Sequence, residues 1–175
     1  MAKEFPARFS RHPSETSIVL EHPRSADGSG LWRLAAESRT LDLNSPYSYL
    51  LWCRDHAGTS VIARDGEGGA CGFVTGYLRP SAPDTLFVWQ VAVADGQRGR
   101  GLAGRMLCWL ADRQPGARFL EATVTPGNTA STRLFESFAR ERSAELSRSA
   151  LFAAEDFPVD GHEAEVLFRI GPFAP

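Results

Sequence analysis

The residues best suited to chemistry form a glycine-rich turn in the middle of the chain. An apolar stretch that ends at Val93 runs through this turn, which carries glycines at 96, 99 and 101, into an amphipathic stretch that begins at Leu102. Glycine permits positive φ angles and a close approach of the backbone to a ligand. The helix start that follows supplies unpaired N–H groups and partial positive charge, which bind anions. The segment therefore predicts a pyrophosphate-binding loop between a strand and a helix.

The arginines and glycines of this turn help to distinguish between the known kinds of phosphate-binding loop. Arg98, Arg100 and Arg105 would add positive charge to the loop. Gly99, Gly101 and Gly104 match the letters of the dinucleotide fingerprint, but that fingerprint belongs to an opening βαβ unit, and hairpins precede this turn. The P-loop pattern fails because no Lys-Ser or Lys-Thr pair follows the glycines. A segment this short can also be an ordinary surface turn. The flanking elements must therefore distinguish a binding loop from a surface turn.

Hydrophobic periodicity and turn residues predict the elements that would position this loop. Strands are expected at 17–21, 59–63, 70–78, 85–93, 119–124 and 166–170, and helices at 31–39, 45–56, 102–113 and 128–142. Loops are expected at 79–84 and 153–163. The order predicts one mixed α/β (α+β) domain over residues 17–175, preceded by a flexible N-terminal arm over residues 1–16.

Composition limits the classes of function. A chain of 175 residues with 43% hydrophobic and 23% charged side chains has the makeup of one domain with a sizeable core. A net charge of −2 argues against nucleic-acid binding by bulk positive charge. No stretch approaches the ~20 apolar residues of a membrane span, and no signal-peptide core is present. The cysteines at 53, 71 and 108 are widely spaced and odd in number, which favours a cytoplasmic chain with reduced thiols and no metal.

The segment Arg98-x-x-Gly101-x-Ala103 resembles the R/Q-x-x-G-x-G/A motif of the GCN5-related N-acetyltransferases (GNAT), whose loop amides hold the pyrophosphate of acetyl-CoA. The preceding strand, the following helix and the strand order agree with that fold, a mixed central sheet with splayed central strands flanked by helices. The resemblance implies acetyl-CoA as co-substrate. It also implies a set of contact residues, namely Val91, Val93, Arg98, Gly99, Arg100, Gly101, Leu102, Ala103 and Gly104.

A second segment, which begins at Asn128, resembles the other cofactor helix of this family. There an Asn at the helix start and a small residue one turn later, here Ser131, face the CoA arm. Asn128 is equally suited to cap the helix, and both roles can hold. Phe135 stands where many family members carry a tyrosine that protonates the leaving thiolate. Either another group does this here, or CoA leaves as the thiolate.

Four longer blocks, at 41–51, 76–80, 84–93 and 165–171, are similar to the L-2,4-diaminobutyrate acetyltransferases of ectoine biosynthesis. The likeness extends from about residue 18 to residue 173. It implies transfer of acetyl to the 4-amino group of diaminobutyrate by a homodimer, without nucleic acid or membrane as a partner. Two alternatives stay open: an acetyltransferase of another small amine or amino acid, and a non-catalytic CoA-binding domain.

An acceptor with two amines and one carboxylate needs both acidic and hydrogen-bonding groups. The segment 155–165 holds five acids, one histidine and no basic residue, so it could form an acidic lid. Together with two earlier segments it supplies the predicted acceptor residues, Asp42, Asn44, Tyr47, Trp89, His162 and Glu165. Each has a simpler interpretation. Asp42 and Asn44 could only cap the following helix, and Trp89 could belong to the core. The acidic segment could be a solvated loop, in which His162 and Glu165 are too few to bind a metal.

Direct transfer is the expected mechanism. An alkylammonium has no lone pair until it loses a proton, and Glu165 or Asp42 could relay that proton directly or through water, with Tyr47 as the third predicted catalytic residue. The fold resemblance implies that the N–H groups of Val91 and Val93 polarise the thioester carbonyl. A ping-pong route through a cysteine is less favoured, because none of the three lies in a recognisable nucleophile motif.

Overall fold

The computed structural model describes residues 17–158 and 161–173, so the predicted N-terminal arm lies outside the described residues. In this part of the chain, one sheet of seven strands is flanked by four α-helices. The strands are β1 (Val19–Glu21), β2 (Val61–Arg64), β3 (Ala70–Arg79), β4 (Ala82–Val93), β5 (Phe119–Val124), β6 (Leu146–Phe152) and β7 (Glu165–Ile170). The helices are α1 (Gly28–Ser38), α2 (Pro46–Asp55), α3 (Leu102–Ala111) and α4 (Thr129–Glu141).

The sheet has the strand order β1-β2-β3-β4-β5-β7-β6. Only β4 and β5 pair in parallel, as the connection through α3 requires, and the other neighbours are antiparallel. Pairing of β4 with β5 ends at Val88 and Ala122, although β4 continues to Val93. The central strands therefore diverge and leave a wedge between residues 89–93 of β4 and 123–124 of β5. This confirms the predicted splayed, mixed α/β sheet.

A β-bulge marks the point at which β4 leaves β5. Thr75 on β3 pairs with Gln90 and Gly76 pairs with Val88, so Trp89 is an extra residue on β4. A bulge bends its strand and re-aims the neighbouring side chains. Gly76 is required opposite the bulge, because a Cβ there would lie 2.7 Å from the carbonyl oxygen of Phe87. Local backbone geometry thus directs β4 away from β5.

Two apolar layers cover the sheet. One face packs on α3 and α4 through side chains such as Leu107, Leu110 and Phe138, and the other packs on α1 and α2 through Leu31 and Tyr49. In the part of the chain that the structure describes, no helix is long and apolar enough to cross a membrane.

Three sequence predictions need correction. The strand β6 was not expected; it is an edge strand whose residues are mostly exposed, so it lacks the apolar run of a covered strand. The helix α1 begins at Gly28 rather than at residue 31. Because Gly28 has no Cβ, this end of the helix can approach Leu50 of α2 closely. The strand β4 begins at Ala82 rather than residue 85, because only Pro80 and Ser81 form the turn that was expected over 79–84.

Candidate active site

The glycine-rich turn forms an open backbone cradle in front of α3. Gly99 and Gly101 have φ angles of 73° and 72°, in the left-handed region that favours glycine. Gly101 caps α3, so the amides of the first turn have no helical acceptor and point outward. Apart from chain neighbours and the backbone of α3 itself, no heavy atom of the described chain lies within 4 Å of where a Cβ would stand on Gly99, Gly101 or Gly104. The cradle can therefore admit a bulky anion.

The predicted arginines lie at the same end of the molecule and are exposed. Arg98 donates to the carbonyl oxygen of Val93 at 3.2 Å and pairs with Asp95 at 3.0 Å. It lines a cavity of about 620 Å³ between the end of α1 and the end of β4. Arg100 contacts Gln97, and Arg105 projects from the exposed face of α3. Together they surround the cradle with positive charge.

A second cavity, of about 480 Å³, occupies the wedge between β4 and β5 and is called the acceptor cavity here. Its walls come from β4, β5, the start of α4 and the loops that precede α2 and β7. It brings together eight residues predicted from the sequence: Asp42, Asn44, Trp89, Val91, Asn128, Ser131, His162 and Glu165. Tyr47 is not among its lining residues; it lies in the first turn of α2 and is 66% exposed.

Two backbone amides of β4 face the wedge. Ala94 donates its N–H to the carbonyl of Cys71 on β3 at 2.9 Å, and past the bulge β3 and β4 pair residue by residue. Successive N–H groups of a strand alternate in direction. Those of Val91 and Val93 therefore point toward β5, where the pairing with β5 has already ended. Neither N–H group therefore has a ladder partner on β5 among the described residues.

Glu165 has the most unusual electrostatic environment of the acceptor cavity. Burial raises the pKa of its carboxyl group, while a hydrogen bond from the Thr123 side chain and the nearby His162 oppose that shift. Its Oε2 atom is shielded from solvent and has no hydrogen-bond partner among the described residues. A carboxylate in this position can accept a proton from a ligand amine without first losing another partner.

His162 has an acceptor beside each ring nitrogen. Its Nδ1 lies 2.7 Å from the carbonyl oxygen of Glu163, and its Nε2 lies 3.3 Å from a carboxylate oxygen of Asp42. This arrangement favours the imidazolium, in which both ring nitrogens donate. The two contacts raise the pKa of His162, that to Glu163 most strongly. The ring of Phe157 stacks on the imidazole ring, with centroids 3.6 Å apart.

The charges of the acceptor cavity suit a diamino acid. Three acids, Asp42, Glu163 and Glu165, line the cavity together with His162, which among the described lining residues is the only one able to carry a positive charge. Ammonium groups can pair with the acids, and protonation of His162 would add a charge that attracts a carboxylate. Glu163, Thr123 and Gln90 were not predicted from the sequence; a polar Gln90 inside an apolar strand was the one signal that could have singled it out.

Aromatic side chains form the remaining walls. Trp89 is 36% exposed and stacks on Trp52 of α2, with ring centroids 4.5 Å apart. It therefore lines the cavity instead of filling the core. Phe135 is buried against Phe168 and offers no proton donor to the cavity.

The cysteines lie outside the acceptor cavity. Cys53 and Cys71 are buried and Cys108 is half-buried, and none of the three lines the cavity. Burial raises the pKa of each thiol, that of Cys53 to about 11, which disfavours the nucleophilic thiolate. Among the described residues, no group of three His, Cys, Asp or Glu side chains is placed to hold a metal ion.

A splayed sheet, an open amide cradle and an acidic cavity at the end of the wedge define an N-acetyltransferase fold. The Acetyltransferase (GNAT) family model matches residues 29–139. Among the relatives is the L-2,4-diaminobutyric acid acetyltransferase of Streptomyces coelicolor, 55% identical over 164 residues, which cover 92% of this chain and 96% of that protein. That of Marinococcus halophilus is 46% identical, with 91% and 93% covered. The chain belongs to the GNAT family and, within it, to the diaminobutyric acid acetyltransferases.

Solved structures agree. Diaminobutyrate acetyltransferase EctA from Paenibacillus lautus, in complex with its substrate L-2,4-diaminobutyric acid and coenzyme A, has a TM-score of 0.86 and 44% identity, covering 91% of this chain and 98% of that one. The ribosomal-protein-S18-alanine N-acetyltransferase of Escherichia coli has a TM-score of 0.68 at 13% identity, covering 91% and 96%, and shows the fold alone. The predicted GNAT fold and family are thereby confirmed.

Proposed function

We propose that this protein transfers the acetyl group of acetyl-CoA to the 4-amino group of L-2,4-diaminobutyrate, which supplies the N4-acetyl intermediate of ectoine synthesis. The observation that carries the proposal is the acceptor cavity, where three acids and His162 surround the end of the wedge. Two findings support it: a diaminobutyric acid acetyltransferase that is 55% identical over 92% of this chain, and a similar solved structure that contains diaminobutyric acid and coenzyme A.

Acetyl-CoA is the co-substrate. We infer that its pyrophosphate binds the amides from Gly99 to Gly104, with Arg98, Arg100 and Arg105 nearby. Its pantetheine arm would follow β4, where the N–H groups of Val91 and Val93 are free, with Asn128 and Ser131 on the opposite wall. Asn128 also caps α4, because its side chain accepts the N–H of Ser131 at 3.0 Å. Both roles of Asn128 that the sequence left open are compatible with this arrangement.

A Gly101→Ala variant tests the cradle. The φ of 72° should cost an alanine about 1 kcal/mol of stability, and the shifted amides should weaken acetyl-CoA binding by about 10-fold. Gly68→Ala is the matched control, because Gly68 has a φ of 83°, no atom of the described chain near its Cβ position, and a place in the β2–β3 turn. Calorimetric titration should show weaker binding for the first variant alone. Equal acetyl-CoA affinity in both variants would contradict the proposed cradle.

The acceptor residues take complementary roles in this proposal. Glu165 receives the reacting 4-amino group, Asp42 and Glu163 attract the second ammonium, and the positive charge of a protonated His162 attracts the carboxylate without a direct hydrogen bond. Trp89 and Asn44 complete the walls. Tyr47 stays a prediction, because it lies on the exposed side of α2.

The chemical step is a direct transfer. The 4-ammonium gives one proton to Glu165, and the free amine attacks the thioester carbonyl, whose developing negative charge is stabilised by the N–H groups of Val91 and Val93. The tetrahedral intermediate then breaks its C–S bond and releases CoA as the thiolate. The second proton of the attacking nitrogen neutralises that thiolate. This route needs no acid at Phe135 and no cysteine nucleophile.

The direct test is CoA release from acetyl-CoA with purified protein, with the product analysed by mass spectrometry. Diaminobutyrate should give the highest kcat/KM and a single N4-acetyl product. Preference for ornithine, lysine or spermidine would favour an acetyltransferase of another amine. Binding of acetyl-CoA without turnover would favour a non-catalytic CoA-binding domain.

We further infer a homodimer in the cytoplasm. A second copy could cover the exposed apolar side chains of the α2 region and of β6, which include Leu43, Leu50, Leu151 and Phe152. A dependence on acetyl-CoA and three unpaired cysteines suit a reducing, metabolite-rich compartment.

A further inference from the structure

A chain of hydrogen bonds connects the core beneath α2 to the acceptor cavity. The hydroxyl of Tyr49 lies 3.0 Å from Oε1 of Gln90, and Nε2 of Gln90 lies 2.9 Å from the carbonyl oxygen of Asp42. Because that carbonyl can only accept, the Gln90 amide must present its nitrogen to Asp42 and its oxygen to Tyr49, so the Tyr49 hydroxyl must donate. The direction of every bond in the chain is therefore fixed.

The three residues differ sharply in burial. Tyr49 is fully buried and Gln90 is 5% exposed, whereas the Asp42 side chain is 86% exposed. Asp42 lies in a segment without helix or strand between α1 and α2. A rigid buried pair thus holds the backbone of an exposed loop residue. The Asn44 side chain also donates to the Asp42 carbonyl, at 3.3 Å, but it belongs to the same loop and cannot fix that loop to the sheet.

The bulge gives this contact its position. Gln90 directly follows Trp89, the extra residue at the point where β4 leaves β5. The hydrogen bond from Gln90 therefore fixes the position of the Asp42 loop relative to the start of the wedge. The Asp42 carboxylate in turn contacts His162, which belongs to the segment before β7. One buried amide thereby links both loops of the acceptor cavity to the strand that carries the free N–H groups.

We propose that Tyr49 and Gln90 are positioning residues that set the distance between the Asp42–His162 pair and the wedge, and with it the length of the diamine that reacts. The inference deepens the proposed function and rests on it. Neither the Tyr49 hydroxyl nor the Gln90 side-chain amide needs to contact the acetyl group. Their contribution is to pre-order the loop, so their loss should appear in acceptor recognition and leave acetyl-CoA recognition intact.

The test measures steady-state kinetics of Tyr49→Phe, Gln90→Met and the double variant in the full chain, with acetyl-CoA and with diaminobutyrate or ornithine. We expect Tyr49→Phe to raise the KM for diaminobutyrate by about 3- to 10-fold, as loss of one buried hydrogen bond predicts, and Gln90→Met to raise it further. The KM for acetyl-CoA should change by less than about 2-fold. The double variant should match Gln90→Met, because both changes break one chain.

Selectivity separates positioning from general destabilisation. The preference for diaminobutyrate over ornithine should fall by about 3-fold or more in Tyr49→Phe and stay unchanged in the control Tyr77→Phe. An unchanged diaminobutyrate KM, or an equal rise in both KM values without loss of preference, would overturn the inference; if Tyr49→Phe does not fold, Gln90→Met decides by the same readouts. A wild-type protein inactive with diaminobutyrate would instead refute the proposed function, and the inference with it.

Discussion

The Glu165→Gln variant should lose about 100-fold or more in kcat with diaminobutyrate and bind acetyl-CoA as the wild type does. Glutamine keeps the shape of the side chain and can accept the hydrogen bond from Thr123, but it cannot take a proton from the 4-ammonium. The proposed pyrophosphate contacts lie at the cradle, whose residues do not line the cavity that holds this carboxylate. Stopped-flow or steady-state CoA release measures the first quantity, and calorimetry measures the second.

The same substitution should leave the fold at least as stable. Burial raises the pKa of Glu165, which means that the folded protein resists its ionisation. The wild type therefore loses stability as pH rises through the interval between the unfolded and the folded pKa, and the variant does not. The wild-type rate, in contrast, should fall on acidification through the folded pKa. Melting temperatures and kcat/KM across this interval report both trends.

Glu163→Gln is the comparison for this prediction. Glu163 lines the same cavity but is exposed, so its loss should raise the acceptor KM with little change in kcat. If the two variants lose equal fractions of kcat, cavity charge alone would account for the effect, and Glu165 would not be the base.

Neutralising a different buried acid should have the opposite effect on stability. Glu121 on β5 is 2% exposed and lies between Arg79 of β3, at 2.8 Å, and Arg169 of β7, which also stacks on Phe119. This triad ties three strands together just below the wedge. We expect Glu121→Gln to cost about 2 kcal/mol, less than a fully buried pair because both arginines are about a third exposed and can be rehydrated.

That loss corresponds to a decrease in melting temperature of about 4–8 °C, which calorimetry or circular dichroism can measure. Glu136→Gln is the matched control, because Glu136 pairs with Arg148 at 2.6 Å on the surface, where such pairs contribute about 0–1 kcal/mol. At saturating substrates Glu121→Gln should retain its kcat, since Glu121 does not line the acceptor cavity. Equal melting temperatures for the two variants would show that the triad adds nothing beyond a surface pair.

Local signals made much of the fold predictable. The positive φ angles at Gly99 and Gly101 follow from glycines placed between an apolar strand and a helix, and the strand at 119–124 was predicted at its observed bounds. The strand β6 was missed because its residues are mostly exposed, and only its pairing with β7 defines it. The other edge strand, β1, was predicted because its segment contains a short apolar run, which the first half of β6 lacks.

The acceptor site was less predictable, because its geometry arises from non-local pairing. The bulge at Trp89 and the end of β4–β5 pairing decide that Gln90 and Thr123 face the same region as Glu165. Helical geometry separates the two tyrosines of α2: Tyr49 is fully buried, while Tyr47, two residues earlier, is exposed. Tyr47 was predicted as an acceptor residue because it stands with Asp42 and Asn44 at the entry from the loop into the helix.

The stacked Trp52–Trp89 pair provides an intrinsic spectroscopic probe of the acceptor cavity. Indole rings whose centroids lie 4.5 Å apart and whose planes differ by 24° are close enough for their transition dipoles to interact, so their circular dichroism depends on their mutual orientation. Trp89 occupies the bulge and lines the acceptor cavity, whereas Trp32 and Trp109 pack against the two separate apolar layers. The coupled transition therefore originates where β4 leaves β5, and it records the shape of that junction without an added chromophore.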